Sequence, residues 1–262
     1  MRFGTRVMWV ALLLAIGIVC NGLWAGQPVT TPEAETVEMF SAIDKGQIEV
    51  KLIPKDSSLC NVLVENKTDK PLTVRLPEAF AGVPVLAQLG FGGDMGGDMG
   101  GGGGGGGYGG GGSQGMGGGM GGMGGMGGMM FNVAPERIGK FKVTTVCLEH
   151  GKAEPRPAIP YKIVPIDQFT EKKEVHELCK MLGYGKMPQR VAQAAAWALN
   201  NNMSWQELAA KQLHYAGGIR KPYFHPLEIR AAMQAAEAAV KTVKEQEEKE
   251  YASPDSLSLS QK

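Results

Sequence analysis

Hydrophobic and polar residues alternate in several short segments of the first two thirds of the chain. The clearest of these segments are residues 48–53, 61–65, 72–77, 130–133, 138–148 and 161–166. A period of two is typical of half-buried strands, in which successive side chains face opposite sides of the sheet. Residues 83–89 add an apolar segment in which Pro84 indicates an edge strand or the start of a strand. Short strands separated by turns predict an Ig-like antiparallel β-sandwich over residues 46–166.

The hydrophobic period becomes helical after residue 166. Helix starts are indicated at Val175, Pro188, Ser204 and Pro226. Ser204 and Glu207 have the spacing of a capping box, and Gly217 is expected to end that helix. The pattern therefore predicts a helical region over residues 167–250 and a disordered tail over 251–262, which makes the fold class α+β.

Residues 90–129 interrupt the predicted sandwich with a stretch that is mostly glycine and methionine. Such a stretch has few side chains to bury and cannot offset its ordering entropy, so it is predicted to be a disordered loop. Met120, Met123, Met126 and Met129 recur there at every third position. Thioethers are soft ligands that favour Cu(I), so copper handling by this loop is one functional hypothesis.

The N-terminus has the layout of a secretory signal peptide over residues 1–25, with two arginines, an apolar run and then Ala25. An uncleaved anchor is the alternative, but no Lys or Arg follows the run until Lys45. Residues 26–45 are assigned to a leader segment. We therefore expect an exported protein of the periplasm, the cell envelope or the medium, with no membrane span after cleavage.

Composition excludes some classes of function. The formal net charge is +1, which gives no electrostatic basis for nucleic-acid binding. No phosphate-binding loop is present, the four histidines lack zinc-ligand spacing, and no cofactor is indicated. We expect a non-enzymatic binding or envelope-structural protein whose partner is an unidentified protein or surface ligand. A hydrolase would require contact between Cys147 and a histidine, with a carboxylate behind that histidine.

Three cysteines remain after the signal peptide is removed, namely Cys60, Cys147 and Cys179. An odd number in an oxidising compartment allows one internal disulfide and leaves one sulfur over. Cys147 closes an alternating segment, whereas Gln193 and Trp197 lie four residues apart in a predicted helix. In the alternative interpretation, Cys147 is a small buried hydrophobic residue, and Gln193 and Trp197 lie on a helix face that packs against the sandwich.

The segments around Cys147 and Gln193 resemble the thioester domain of bacterial surface adhesins. In that family a strand cysteine condenses with the glutamine of a Thr-Gln-x-Ala-x-Trp motif. Gln193, Ala195 and Trp197 match the motif, whereas Ala192 stands in place of the threonine. The resemblance implies a Cys147–Gln193 thioester shielded by Trp197, which would leave Cys60 to pair with Cys179. It covers about residues 144–199.

A second resemblance is to an uncharacterised family of exported proteins from planctomycete-type bacteria. It is carried by residues 64–68, 71–88 and 147–152, the last of which read Cys-Leu-Glu-His-Gly-Lys. This resemblance implies an exported location and a shared fold, and it implies no activity.

The composition of the N-terminus leads to a first test. We expect the mature chain to begin between Asn21 and Gln27, because the apolar run and the small residue Ala25 are typical of a cleaved signal. N-terminal sequencing of the protein recovered from the envelope or the medium measures this. A chain that still begins at Met1 would show that the segment is an anchor.

Overall fold

The structure is a computed structural model that describes residues 34–85, 113–122 and 129–252. Its strands are β1 (Glu35–Glu38), β2 (Ile48–Pro54), β3 (Leu59–Asn66), β4 (Leu72–Arg75), β5 (Phe80–Pro84), β6 (Met116–Gly118), β7 (Met130–Val133), β8 (Ile138–Cys147), β9 (Tyr161–Pro165), β10 (Gln212–His214) and β11 (Arg220–Pro222). Its helices are α1 (Met39–Asp44), α2 (Lys173–Gly183), α3 (Gln189–Asn201), α4 (Trp205–Ala210) and α5 (Pro226–Tyr251). The predicted signal peptide and most of the predicted tail lie outside the described residues.

The central element is a closed antiparallel barrel with the strand order β2-β3-β8-β6-β5-β9. The prediction of an Ig-like sandwich is therefore wrong. Each strand of the ring pairs on both sides, and a single residue pair, Leu52 with Tyr161, joins β2 to β9. Closure of the ring removes the exposed edges that two open sheets would have. Pro84 accordingly ends a paired strand, β5, and residues 86–89 lie outside the described residues.

Strand β6 comes from the segment that was predicted to be a disordered loop. Residues 113–122 are described, and Met116–Gly118 pairs with β5 on one side and β8 on the other. The prediction of disorder over 90–129 is therefore wrong for these residues. Glycine is required here because the neighbours lie very close. A Cβ on Gly117 would be 2.8 Å from the Cys179 sulfur, and one on Gly118 would be 3.0 Å from the Phe80 ring.

A second, smaller sheet has the order β1-β4-β7 and lies outside the barrel ring. β1 pairs with β4 in parallel, from Glu35 opposite Leu72 to Glu38 opposite Arg75. Helix α1 follows, and its Met39 side chain is buried in the barrel core. Residues 34–45, which composition assigned to a leader, thus belong to the folded unit.

The helices cover one side of the barrel. Helix α3 contacts β8, α2 and α5. All residues from Val191 to Trp197 are buried, and four of them are alanines. Alanine has the highest helix propensity and the smallest side chain, so α3 can be enclosed on all sides by a strand and two helices. None of the helices in the described part of the chain is both long and apolar enough to cross a membrane.

Helix α4 begins with the predicted capping box, in which Ser204 and Glu207 bond reciprocally. The prediction that this helix continues to Gly217 is wrong, because it ends at Ala210. The next residues form a hairpin, with Leu213 of β10 opposite Lys221 of β11.

The three cysteines of the described residues are all free thiols. A Cys60–Cys179 disulfide is therefore not formed. Cys60 lies in the barrel core, where its sulfur contacts Met116, whereas Cys179 lies in the helix-side core against Gly117. Successive residues of a strand face opposite sides, so β6 separates the two sulfurs. Burial raises the pKa of each of these two thiols to about 12.

Substitution of the glycines near β6 tests whether this segment packs tightly. We expect Gly119→Ala to destabilise the protein more than Gly117→Ala. A Cβ on Gly119 would lie 2.5 Å from the main-chain oxygen of Glu78, which cannot move aside as a side chain can. Overpacking typically costs about 1–3 kcal/mol, and we expect the two variants near the upper and lower ends of that range. Urea unfolding measures the difference.

The control is Gly117→Ala combined with Cys179→Ala, which removes the sulfur that the new methyl group meets. This double variant should recover part of the stability lost by Gly117→Ala. Wild-type stability in both single variants would show that residues 113–122 do not pack against α2.

Candidate functional site

The candidate site lies where β8 extends beyond the end of its neighbour β3. The last pair of that ladder joins Leu59 to Thr144, and the Thr145 amide then donates to the carbonyl of Ser58 at 2.9 Å. Cys147 has no partner on β3. Because β8 is buried at this end, the main-chain groups of Cys147 need another source of hydrogen bonds.

Gln193 of helix α3 supplies both of these bonds. The Cys147 amide donates to Gln193 Oε1 at 2.8 Å, and Gln193 Nε2 donates to the Cys147 carbonyl at 2.9 Å. The Gln193 side chain is 4% exposed, so the amide is enclosed. The structure therefore brings together the two residues that the sequence motif paired, and it does so through a reciprocal contact.

Three other α3 side chains bond the main chain of β8 and of the residues that follow it. Gln189 Nε2 donates to the Thr145 carbonyl at 3.0 Å, and Asn200 Nδ2 donates to the Leu148 carbonyl at 2.6 Å. Asn201 Oδ1 accepts from the His150 amide at 3.2 Å. We call these contacts, together with those of Gln193, the α3–β8 seam. The seam fixes the helix against the strand at four positions.

The Cys147 side chain lies at the junction of the two cores. Cys147 lies an even number of residues after Phe141 and Val143, so its side chain is on the same side of β8 as theirs, which face the barrel interior. Cys147 lies opposite Met116 of β6. Burial raises the pKa of the Cys147 thiol well above its ordinary value, the charge of Glu154 adds to the rise, and a hydrogen bond with Ser57 opposes it. The thiol is therefore protonated at neutral pH and does not behave as an exposed thiolate.

Trp197 lies one helical turn after Gln193 and is 5% exposed. Its ring centroid is 4.8 Å from that of His150, three residues beyond Cys147, and 5.9 Å from that of Phe224. The tryptophan thus packs on the chain that leaves β8. The shielding of Cys147 by Trp197 stays a prediction.

His150 tests the hydrolase alternative. Its Nε2 lies 2.9 Å from the Lys211 ammonium, and the charge of Glu207 also acts on the ring without a hydrogen bond to it. Burial and the charge of Lys211 lower the pKa of His150, and burial also lowers the pKa of Lys211. A cysteine–histidine nucleophile requires a histidine that stabilises a thiolate, and the raised pKa of Cys147 is the opposite arrangement.

A cleft of about 290 Å³ opens onto the seam from solvent. Its walls come from the turn between β2 and β3, the first turns of α3 and the residues before α5, namely Asp56, Ser57, Ser58, Gln189, Arg190, Gln193, Tyr223 and Phe224. The cleft is therefore bounded by Gln193 and by Ser57, and Ser57 lowers the pKa of the Cys147 thiol. It is large enough to admit a small polar molecule or a side chain of another protein.

Two of the four methionines proposed as copper ligands, Met120 and Met129, lie within the described residues. Met120 is fully buried in the barrel core, and Met129 packs partly against it, with its sulfur 3.8 Å from the Tyr184 hydroxyl. Met123 and Met126 lie outside the described residues. Within the described ranges, no group of three or more His, Cys, Asp or Glu side chains is placed to hold a metal ion.

Comparison of the chain with known families, curated proteins and solved structures finds no match to a family model, to a protein or to a fold. The interpretation of the site therefore depends on its own geometry.

Sequence reasoning did not find Gln189, Asp56 or Ser57. Gln189 had a usable signal, because it lies four residues before Gln193 in a helix that is otherwise rich in alanine. Asp56 and Ser57 had none, since Asp-Ser-Ser between two strands reads as an ordinary turn. Only the closed barrel brings that turn to the start of α3.

The pKa of His150 leads to a test of the aromatic cluster beside the seam. The unfolded chain takes up a proton as the pH falls through the ordinary histidine value of 6.5, whereas the folded protein resists protonation of this ring. We therefore expect the free energy of unfolding to decrease as the pH falls from about 7 to about 5. Denaturant unfolding at a series of pH values measures this decrease.

The matched variants are His150→Gln, which should lose this component of the pH dependence, and His214→Gln, which alters an exposed ring and should keep it. Carboxylates with lowered pKa, such as Glu228, weaken the fold below their unfolded value of 4.5 and do not overlap this window. Identical pH profiles for the parent and His150→Gln would contradict the burial of a neutral ring.

Proposed function

We propose that this chain is an exported, non-enzymatic binding protein of the periplasm, cell envelope or medium, and that it binds covalently through an internal thioester between Cys147 and Gln193. The observation that carries the proposal is the reciprocal contact of the Gln193 amide with the Cys147 main chain. The exported location is supported by the composition of the N-terminus. The thioester is supported by the site.

The contact has two features that suit acyl chemistry. The Cys147 amide donates to Gln193 Oε1, so an N–H dipole already points at the oxygen that gains negative charge when the amide carbon is attacked. The amide carbon is also held beside the residue that carries the sulfur. This contact brings the glutamine to the cysteine residue, and formation of the thioester then requires the sulfur to approach the amide carbon.

Formation of the thioester and its opening by an amine each break one bond to the Gln193 carbon and form another. In the first step the Cys147 sulfur bonds to the amide carbon of Gln193, the carbon–nitrogen bond breaks, and the thiol proton leaves with the nitrogen as ammonia. In the second step a primary amine that enters the cleft bonds to the same carbon and the carbon–sulfur bond breaks. A proton from the amine then restores the thiol. The result is an amide link between the protein and its target.

A plain binding or structural module is the second candidate, and one observation favours it. Gln189 makes the same kind of bond to the Thr145 carbonyl, where no sulfur is involved. The seam on its own thus explains why polar side chains line this face of α3. In this alternative Gln193 supplies hydrogen bonds to the buried main chain at the end of β8 and takes part in no reaction.

Intact mass of the folded protein distinguishes the two candidates. If the thioester forms, the parent chain should be lighter by one ammonia, and methylamine should replace that ammonia covalently and expose one additional thiol. Cys147→Ala and Gln193→Ala should each have the full calculated mass and fail to incorporate methylamine.

Gln189→Ala is the matched control, because it removes an α3–β8 bond without removing either reacting group. This variant should keep the loss of ammonia. A parent chain with the full calculated mass and three titratable thiols would refute the covalent proposal and leave the plain binding module.

A further inference from the structure

The cleft beside the Gln193 amide contains a carboxylate with an unoccupied oxygen. Asp56 Oδ1 accepts three hydrogen bonds, from the Ser58 amide at 2.8 Å, the Ser58 hydroxyl at 2.6 Å and the Leu59 amide at 3.1 Å. These bonds fix the half-buried carboxylate in the turn. Within the part of the chain that the structure describes, Oδ2 has no hydrogen-bond partner.

The other charged side chain in the lining is already neutralised. Arg190 Nε lies 2.7 Å from Glu228 Oε1, and the guanidinium also donates to the Tyr223 carbonyl. Its remaining contacts are with the rings of Tyr223 and Phe224. Lys55, the chain neighbour of Asp56, is exposed. Lys55 lowers the pKa of Asp56 but does not line the cleft, so Asp56 is the charged lining residue without an ion-pair partner among the described residues.

We propose that Asp56 is the residue that determines which nucleophile the cleft accepts, and that it favours amines over anionic nucleophiles. The inference rests on the proposed thioester and adds to it the residue that selects among nucleophiles. Its basis is the shared cleft, since Asp56 and Gln193 both belong to its lining.

The role follows from how charge changes during attack. A neutral amine becomes positively charged on nitrogen as the nitrogen–carbon bond forms, and a fixed carboxylate nearby stabilises that charge. An approaching thiolate brings a negative charge to the same place and is repelled. The proton that the nitrogen gives up ends on the Cys147 sulfur.

The test compares two small probes, methylamine and 2-mercaptoethanesulfonate, and follows the opening of the thioester by intact mass. Asp56→Asn should slow methylamine about five- to tenfold, because a charge contact of this kind is worth about that factor in rate. The same variant should accelerate the thiolate. Asparagine keeps the oxygen that accepts from Ser58 and Leu59, so the turn is preserved.

Asp44→Asn is the matched control, because Asp44 is an exposed carboxylate at the end of α1 and does not line the cleft. It should leave both rates unchanged. A salt series on the parent protein needs no substitution and gives the same information. Added salt should slow methylamine and accelerate the thiolate, since screening weakens the field of a partly exposed carboxylate.

Opposite changes for the two probes support the role of Asp56. If the parent forms a thioester and Asp56→Asn changes neither rate, or changes both in the same direction, this inference is overturned and the proposed function stands. If the parent never loses ammonia, both are overturned.

Discussion

The end of strand β8 imposes the constraint on which the rest of this side of the molecule depends. The strand extends past β3 into a buried region, where the amide and carbonyl of Cys147 have no ladder partner on that side. Buried main-chain groups without partners cost about 1–3 kcal/mol each. Helix α3 meets this demand with side chains instead of a strand, through Gln189 and Gln193 on successive turns. The position of the helix, and the contact between Gln193 and Cys147, follow from it.

Strand β6 links this seam to the barrel. Its residues pair with the end of β8 on one side and with β5 on the other, so it closes the ring and covers the second edge of Cys147. Side chains of ordinary size would prevent α2 from approaching, because Cys179 and Leu148 lie against Gly117. The barrel and the helical layer therefore meet at Gly117, where the absence of a side chain lets α2 approach.

The sequence pattern predicted the elements that short-range periodicity and helix capping determine. Most of the strands and the starts of the helices follow the alternation and capping signals, as at Ser204. The closed barrel was not predictable from them, because β6 has almost no hydrophobic signal and glycine reads as disorder by composition. The pairing of Cys60 with Cys179 failed for a related reason. Counting cysteines takes no account of which side of a strand each sulfur faces, and β6 separates them.

A structural and a chemical role for Gln193 are compatible, since the bonds that satisfy β8 also hold the amide carbon in place. Loss of ammonia would keep the bond from the Cys147 amide to Oε1 and remove the bond from Nε2 to the Cys147 carbonyl. The group that loses its partner is thus an acceptor, and buried carbonyls tolerate this better than buried amides do. Gln189, whose amide has no sulfur beside it, shows that an α3–β8 bond can form without any chemistry, so the cysteine is what distinguishes the second glutamine from the first.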